Sequence, residues 1–184
     1  MSESYDITII MAPQWHIREP WTAPAYICET LRSKGYRVQF IDWNVRLYRL
    51  SEKLGFGHLW HGFSFHQAWQ EGEMRYLAYL CDIEEIKGAV IGFSVTQQSV
   101  YASIELAKRI RKRYPNRKII FGGHEVFFPE QVAVVPLDAA DAICKGEGEA
   151  TICELMERGV ENAADVPGPY VPTEEGWRNT GHRC

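Results

Sequence analysis

No apolar run in this 184-residue chain reaches the ~20 residues that a membrane-spanning helix needs, so hydropathy offers no membrane anchor. Positive charge is not in excess either. The net charge is −4, and a general nucleic-acid footprint is missing. The five cysteines, Cys28, Cys81, Cys144, Cys153 and Cys184, are scattered and form no CxxC pair, which argues against a disulfide framework or a cysteine zinc site and predicts a reducing, cytoplasmic setting. "MSESYD" lacks the charged and apolar regions of a secretory signal. GxGxxG and GxxxxGK[ST] are absent, which removes the dinucleotide and P-loop fingerprints. His58, His61 and His66 lie in "HLWHGFSFH" without HExxH spacing or framing acids, and are read as a loop or partner-facing surface. No Ser–His–Asp, Cys–His or paired-carboxylate constellation stands out.

What the chain does contain is a globular composition, 46% apolar and 24% charged, sufficient for one domain with a sizeable core. "YDITIIMAP", "RVQFID", "GAVIGFSV", "RKIIFGG" and "DAICKG" read as five buried strands. Between them lie amphipathic segments. In "SVYASIELAKRIRKRYP", Val100, Ile104, Ala107 and Ile110 fall on one helical stripe, and the basic residues crowd the outer face and C-terminal end. "APAYICETLRSKGY" and "EATICELMERG" read as helices, "PEQVAVVP" as a short one, and residues 43–86 as irregularly helical. Strands alternating with helices predict an α/β fold: a doubly wound, five-stranded parallel sheet with helices on both faces, of the flavodoxin-like or Rossmann-like kind. Residues 161–184 carry Pro167, Pro169 and Pro172 and little periodicity, and are expected to be a tail or linker.

In such a sheet the loops at the carboxyl ends of the strands meet on one edge, where ligands bind. Here they read "APQWHIREPW", "SVTQQS", "GGHEVF" and "GEGEAT". Three of the four are built of small or hydrogen-bonding residues. Each admits a local explanation: Gly122 and Gly123 as a turn, Gly146 and Gly148 as a strand end, Thr96 or Ser99 as a helix cap, Glu147 and Glu149 as acids at a helix N-terminus. Together they point to a cleft for a polar, extended ligand.

"LRSKGYRVQFIDWN", "IGFSVTQQSVYASIELAKRIRKRYPNRKIIFGGHE" and "DAICKGEGEATICEL", with Pro13 and Pro20 in the first loop, carry a resemblance. From about Ile7 to about Glu157 the chain resembles the cobalamin (B12)-binding domain at the N-terminus of many radical S-adenosylmethionine enzymes. The resemblance implies a cobalamin module whose benzimidazole tail is buried between strand ends, with the corrin ring over the loops. It implies cofactor contacts from Pro13, Trp15 and His16 in the first loop. From the third strand and its loop it implies Ser94, Val95, Thr96, Gln97, Gln98 and Ser99. Gly122, Gly123, His124 and Glu125 follow the fourth strand, and Gly146, Glu147, Gly148 and Glu149 close the other side. Cobalamin proteins of the mutase and methionine synthase type carry DxHxxG in the first loop. Here "QWHIRE" puts His16 at the histidine place, with Gln14 for the aspartate and Glu19 for the glycine. His16 is thus the candidate cobalt lower ligand, and Trp15 as an apolar lid on that face is the alternative.

The family's catalysis needs a second domain with a [4Fe–4S] cluster on CxxxCxxC and S-adenosylmethionine. That motif is absent here. The expected organisation is therefore a cobalamin-binding domain over residues 1–160 and a linker over 161–184 toward a radical SAM domain or subunit. The chain alone is expected to bind rather than catalyse, with no nucleic-acid or membrane partner. The alternative is a flavodoxin-like docking or regulatory domain that no longer binds cobalamin. A flavin or nucleotide enzyme ranks last, because flavin-loop and TxTGxT-like signatures are missing.

Overall fold

The computed structural model describes residues 5–15, 17–18, 21–60 and 76–181. The strands are β1 (Tyr5–Met11), β2 (Val38–Asp42), β3 (Gly88–Ser94), β4 (Lys118–Gly122), β5 (Ala142–Cys144), β6 (Tyr170–Thr173) and β7 (Gly176–Asn179). The longer described helices are α1 (Ala23–Ser33), α2 (Trp43–Leu54), α3 (Val100–Arg113) and α4 (Gly148–Arg158), with single helical turns at Tyr76–Tyr79 and Pro129–Val132. No described helix is long and apolar enough to cross a membrane.

The result is an α/β fold on one mixed sheet of seven strands, in the order β2-β1-β3-β4-β5-β6-β7. The first five pair in parallel, whereas β5–β6 and β6–β7 pair antiparallel. This corrects the expectation of a purely parallel, five-stranded sheet. The segment expected to be a tail supplies the two extra strands. Its prolines hid the alternation, since a proline donates nothing to a ladder. Pro172 is nonetheless paired with Trp177 across the hairpin, and the Trp177 indole donates to the Val135 carbonyl at 2.7 Å. Tyr170 and Val171 are buried.

Side chains alternate across a strand, so each strand feeds two cores. Ile7 and Ile9 of β1, Ile120 of β4 and Ala142 and Cys144 of β5 pack with Cys28, Leu31, Ile152 and Leu155 of α1 and α4. Ile10, Ile91, Phe93, Phe121 and Ile143 face the other way, against Trp43 and Leu47 of α2 and Ile104, Leu106 and Ile110 of α3. The expected stripe of Val100, Ile104, Ala107 and Ile110 is buried, widened by Ala102, Ser103 and Leu106. In α1 the inner residues are Pro24, Cys28 and Leu31, while Ala25 is exposed. The basic stretch is drawn into local pairs: Arg111 and Lys118 with Asp141, and Arg113 with Glu84. Burial pushes the Cys81 thiol up to about 12 and raises those of Cys28 and Cys153, so these cysteines serve as small hydrophobes.

One polar group inside the sheet sets the relation of its first three strands. The hydroxyl of fully buried Thr8 donates to Gln39 Oε1 at 2.8 Å and accepts from the Gly88 N–H at 2.9 Å. A Thr8→Val substitution keeps the shape and orphans the Gly88 N–H. It is expected to cost about 1–3 kcal/mol, read as a lower denaturant midpoint at unchanged m-value. An unmoved midpoint would show that these bonds add nothing net.

Candidate functional site

The order of the parallel strands reverses direction between β1 and β3, and chains leaving those two strands part to leave a crevice. At that edge, on the α1–α4 face, β3, β4 and β5 end in small residues. β3 presents Gly92 and Ser94 there, β4 presents Gly122, and β5 ends in Cys144. On the opposite face, at the same level, Phe93 and Phe121 fill the space with rings 5.2 Å apart. This difference between faces leaves a cavity of about 380 Å³ between α1, α4 and the sheet. That volume falls within the about 300–1,000 Å³ of small-molecule sites. Ile9, Ile27, Phe127 and Ile152 make its walls apolar. Polar side chains enter from Ser94, and from His124, Glu147 and Glu149 around the rim, where His124 and Glu147 are exposed.

The paired glycines of "FGGHE" do different work. Gly122 opens the cavity: a Cβ there would meet nothing nearer than Cys144 Cβ, at 3.6 Å. Gly123 turns the chain with φ +116°, and a Cβ there would lie 2.4 Å from the Val95 carbonyl oxygen. Its neighbour is therefore backbone of the β3 loop, which is held close by a Val95 N–H bond to the Gly122 carbonyl at 2.7 Å. Gly146, with φ +70°, faces the Phe127 ring, and at Gly148, which begins α4, a Cβ would lie 3.7 Å from Cys144 Cβ.

Of the residues singled out after β3, Ser94 lines the cavity. Val95 is buried in the α2–α3 core. Thr96 and Ser99 are also buried and bond each other: the Thr96 N–H donates to Ser99 Oγ at 2.9 Å, and neither side chain caps α3. They brace the loop instead. Gln97 is exposed and Gln98 half-buried, and neither lines this cavity. Glu125 sits behind the rim, where burial raises its carboxyl pKa and Gln131 Nε2 donates to it at 3.4 Å. Glu147 occupies the N-cap position of α4 without a side-chain cap bond.

The first loop is held by a residue that the sequence did not flag. Buried Asn44 accepts from the Trp15 N–H at 2.9 Å and from the Trp60 indole at 2.8 Å, and donates to the Trp15 carbonyl at 3.1 Å. The Trp15 ring lies 4.5 Å from that of Trp21. Trp21 also escaped sequence reasoning, although "EPW" puts an aromatic just before a helix start. Its indole N–H reaches across the β1–β3 crevice to Ser94 Oγ at 3.1 Å. Trp21 thereby borders both the main cavity and a second depression of about 550 Å³ lined by Trp15, Arg32, Phe40 and Asp42. Burial raises the Asp42 pKa, against the pull of the backbone N–H of Val45 on its carboxylate. Pro13 is buried beside the loop. His16, Glu19 and Pro20 lie outside the described residues, as do His61, His66 and Cys184, while His58 is exposed. Among the described residues no group of three or more His, Cys, Asp or Glu gathers as a metal site.

No protein-family model matches the chain, and no curated protein matches it. Solved structures do share its fold. One is a radical S-adenosylmethionine methyltransferase, TsrM, from Kitasatospora setae with tryptophan substrate and a SAM analogue bound. It superposes with a TM-score of 0.63 at 18% identity over 96% of this chain. A second structure of TsrM, with cobalamin and a [4Fe-4S] cluster bound, gives 0.60 at 16% identity over 98% of this chain. The chain spans 30% and 29% of those chains.

Proposed function

We propose that this chain is a cobalamin-binding module, with a flavodoxin-like parallel core, that works with a radical SAM domain or subunit in methyl transfer or rearrangement. The observation that carries this reading is the cavity at the carboxyl edge of the sheet, apolar in its walls and floored by Gly92 and Gly122. It fits a buried aromatic base at the end of a chain, as the nucleotide tail of cobalamin provides. The shared fold with TsrM, a protein solved with cobalamin, supports the same assignment.

In this reading Gly122, Ser94 and Cys144 receive the tail. Trp21 and Phe127 border its entry. His124, Glu147 and Glu149 at the rim face the amide groups of the corrin periphery. Trp15, held by Asn44, takes the lower face as an apolar cover, with His16 as the candidate cobalt ligand in the same loop. Cobalamin supplies the organometallic chemistry, and the protein supplies position and axial environment. The [4Fe–4S] cluster and S-adenosylmethionine belong to the partner domain.

The test is direct. The purified chain is incubated with hydroxocobalamin, desalted, and its visible spectrum recorded against protein concentration. A one-to-one retained chromophore is the expected result. A colourless protein at micromolar concentration, with no thermal shift on adding cobalamin, removes the reading and leaves a docking domain. EPR of the reduced cob(II)alamin complex then decides axial ligation. Nitrogen splitting that is lost in His16→Ala assigns His16, and its absence assigns the face to Trp15.

A further inference from the structure

We propose that the depression between α1, β2 and the first loop is a second binding site, and that it takes a small organic cation of the methylated-ammonium type. It stands apart from the cavity at the carboxyl edge of β3–β5: among the described residues only Trp21 and Pro24 line both. Its volume of about 550 Å³ suits a small molecule. Side chains alternate along a strand, so β2 turns Phe40 and Asp42 to one face. Residues three apart on a helix are neighbours, and α1 brings Glu29 and Arg32 to the facing wall. Trp15 and Trp21 border the depression at the first loop, with ring centroids 4.5 Å apart.

The charges of this depression are unbalanced. Among the described residues neither Asp42 nor Glu29 has an ion pair. Burial raises the Asp42 pKa, as expected of a carboxylate taken from water without a full counter-charge. Arg32 is the one cationic side chain among the described lining residues. Its Nη2 donates to the Val38 carbonyl at 3.3 Å. Val38 begins β2 and Asp42 ends it, about 13 Å away along the strand, so this guanidinium is drawn to the far end. Arg46 is held by Glu85 at 2.6 Å. The aromatic side chains add a second attraction. Phe40 is 42% exposed on an edge strand, and Trp21 spends its indole N–H on Ser94, so both offer ring surface. Ring faces attract cations, and a methylated ammonium sheds water more readily than a bare one. A metal ion fits less well, because the walls are largely hydrocarbon and no third His, Cys, Asp or Glu joins the two carboxylates among the described residues.

Equilibrium dialysis of the full chain at fixed ionic strength tests this with two probes: choline, and its neutral isostere in which a tert-butyl group replaces trimethylammonium. The two share shape and differ in charge. The expected result is saturable one-to-one binding of choline, at least ~10-fold tighter than the neutral alcohol. Asp42→Asn keeps an oxygen to accept the Val45 N–H and removes the charge, so the cap of α2 survives. It is expected to weaken choline by at least ~5-fold and to leave the alcohol unchanged. Phe40→Leu keeps the surface apolar and deletes the ring, and is expected to weaken choline by at least ~2-fold. Choline that does not saturate at millimolar concentration, or an alcohol held as tightly, overturns the cation site. Choline binding unchanged in both variants places the cation elsewhere and overturns it too. Binding to phosphatidylcholine vesicles in place of free choline makes the source a lipid surface and overturns the small-molecule ligand. Hydroxocobalamin retention, measured on the same protein, stands or falls separately.

Discussion

Gly122→Val is expected to leave the protein folded and to weaken cobalamin retention by at least ~100-fold. Gly122 ends β4 without a left-handed backbone, so a β-branched residue suits its conformation. The new Cβ would meet Cys144 Cβ at 3.6 Å and the Cys144 carbonyl oxygen at 3.9 Å, both ordinary contacts. The two methyl groups would then stand where the base is proposed to lie. The melting temperature should stay within about 3 °C of the parent, because nothing in the core is displaced and a strand glycine is replaced. Retention is read by the same desalting assay. A Gly122→Val protein that keeps its cobalamin would place the tail elsewhere.

The neighbouring position should behave in the opposite way. Gly123→Ala adds only a methyl group, yet it is expected to cost about 3 kcal/mol or more. An alanine at φ +116° is strained whatever the space, and here its Cβ would lie 2.4 Å from the Val95 carbonyl oxygen and 2.9 Å from the Val95 nitrogen. Both are backbone atoms of a packed loop and have no rotamer to escape into. For a domain of this size the melting temperature should fall by roughly 6–12 °C. Gly122→Ala is the control, and should melt close to the parent. If Gly123→Ala melts like Gly122→Ala, the close approach of the β3 loop is not holding this edge together.

These two glycines show where reading from residue types reaches its end. By residue type Gly122 and Gly123 read as a turn at a strand end, and the family resemblance implied that both contact one ligand. Their burial environments separate them. One faces the α1–α4 side, where a void lies, and the other faces the β3 loop. The same division runs through "SVTQQS". Ser94 reaches the cavity, whereas Thr96 and Ser99 are used up on each other. Residue type alone cannot tell a hydroxyl that lines a cleft from one that ties a loop, since both are polar and both follow a strand.

Local and periodic signals were strong enough to specify most of the architecture. Alternation of strand and helix, the stripe of α3 and the near-continuous apolar runs of β1, β3 and β4 required an α/β sheet covered on both faces, because each pattern buries its apolar residues in only one arrangement. The hairpin of β6 and β7 was not legible. Its stability comes from pairing with β5 and from contacts such as the Trp177–Val135 bond, between residues far apart in sequence. The same holds for Trp21 and Asn44. Neither belongs to a motif, and each acts on a partner that folding brings close: Ser94 across the crevice, and Trp15 and Trp60 around the first loop. The chain order of apolar and small residues dictated that a cleft would open at the carboxyl edge. Which side chains enter it, and which close it, depended on long-range packing, because orientation at a loop is set by neighbours that the local sequence does not contain.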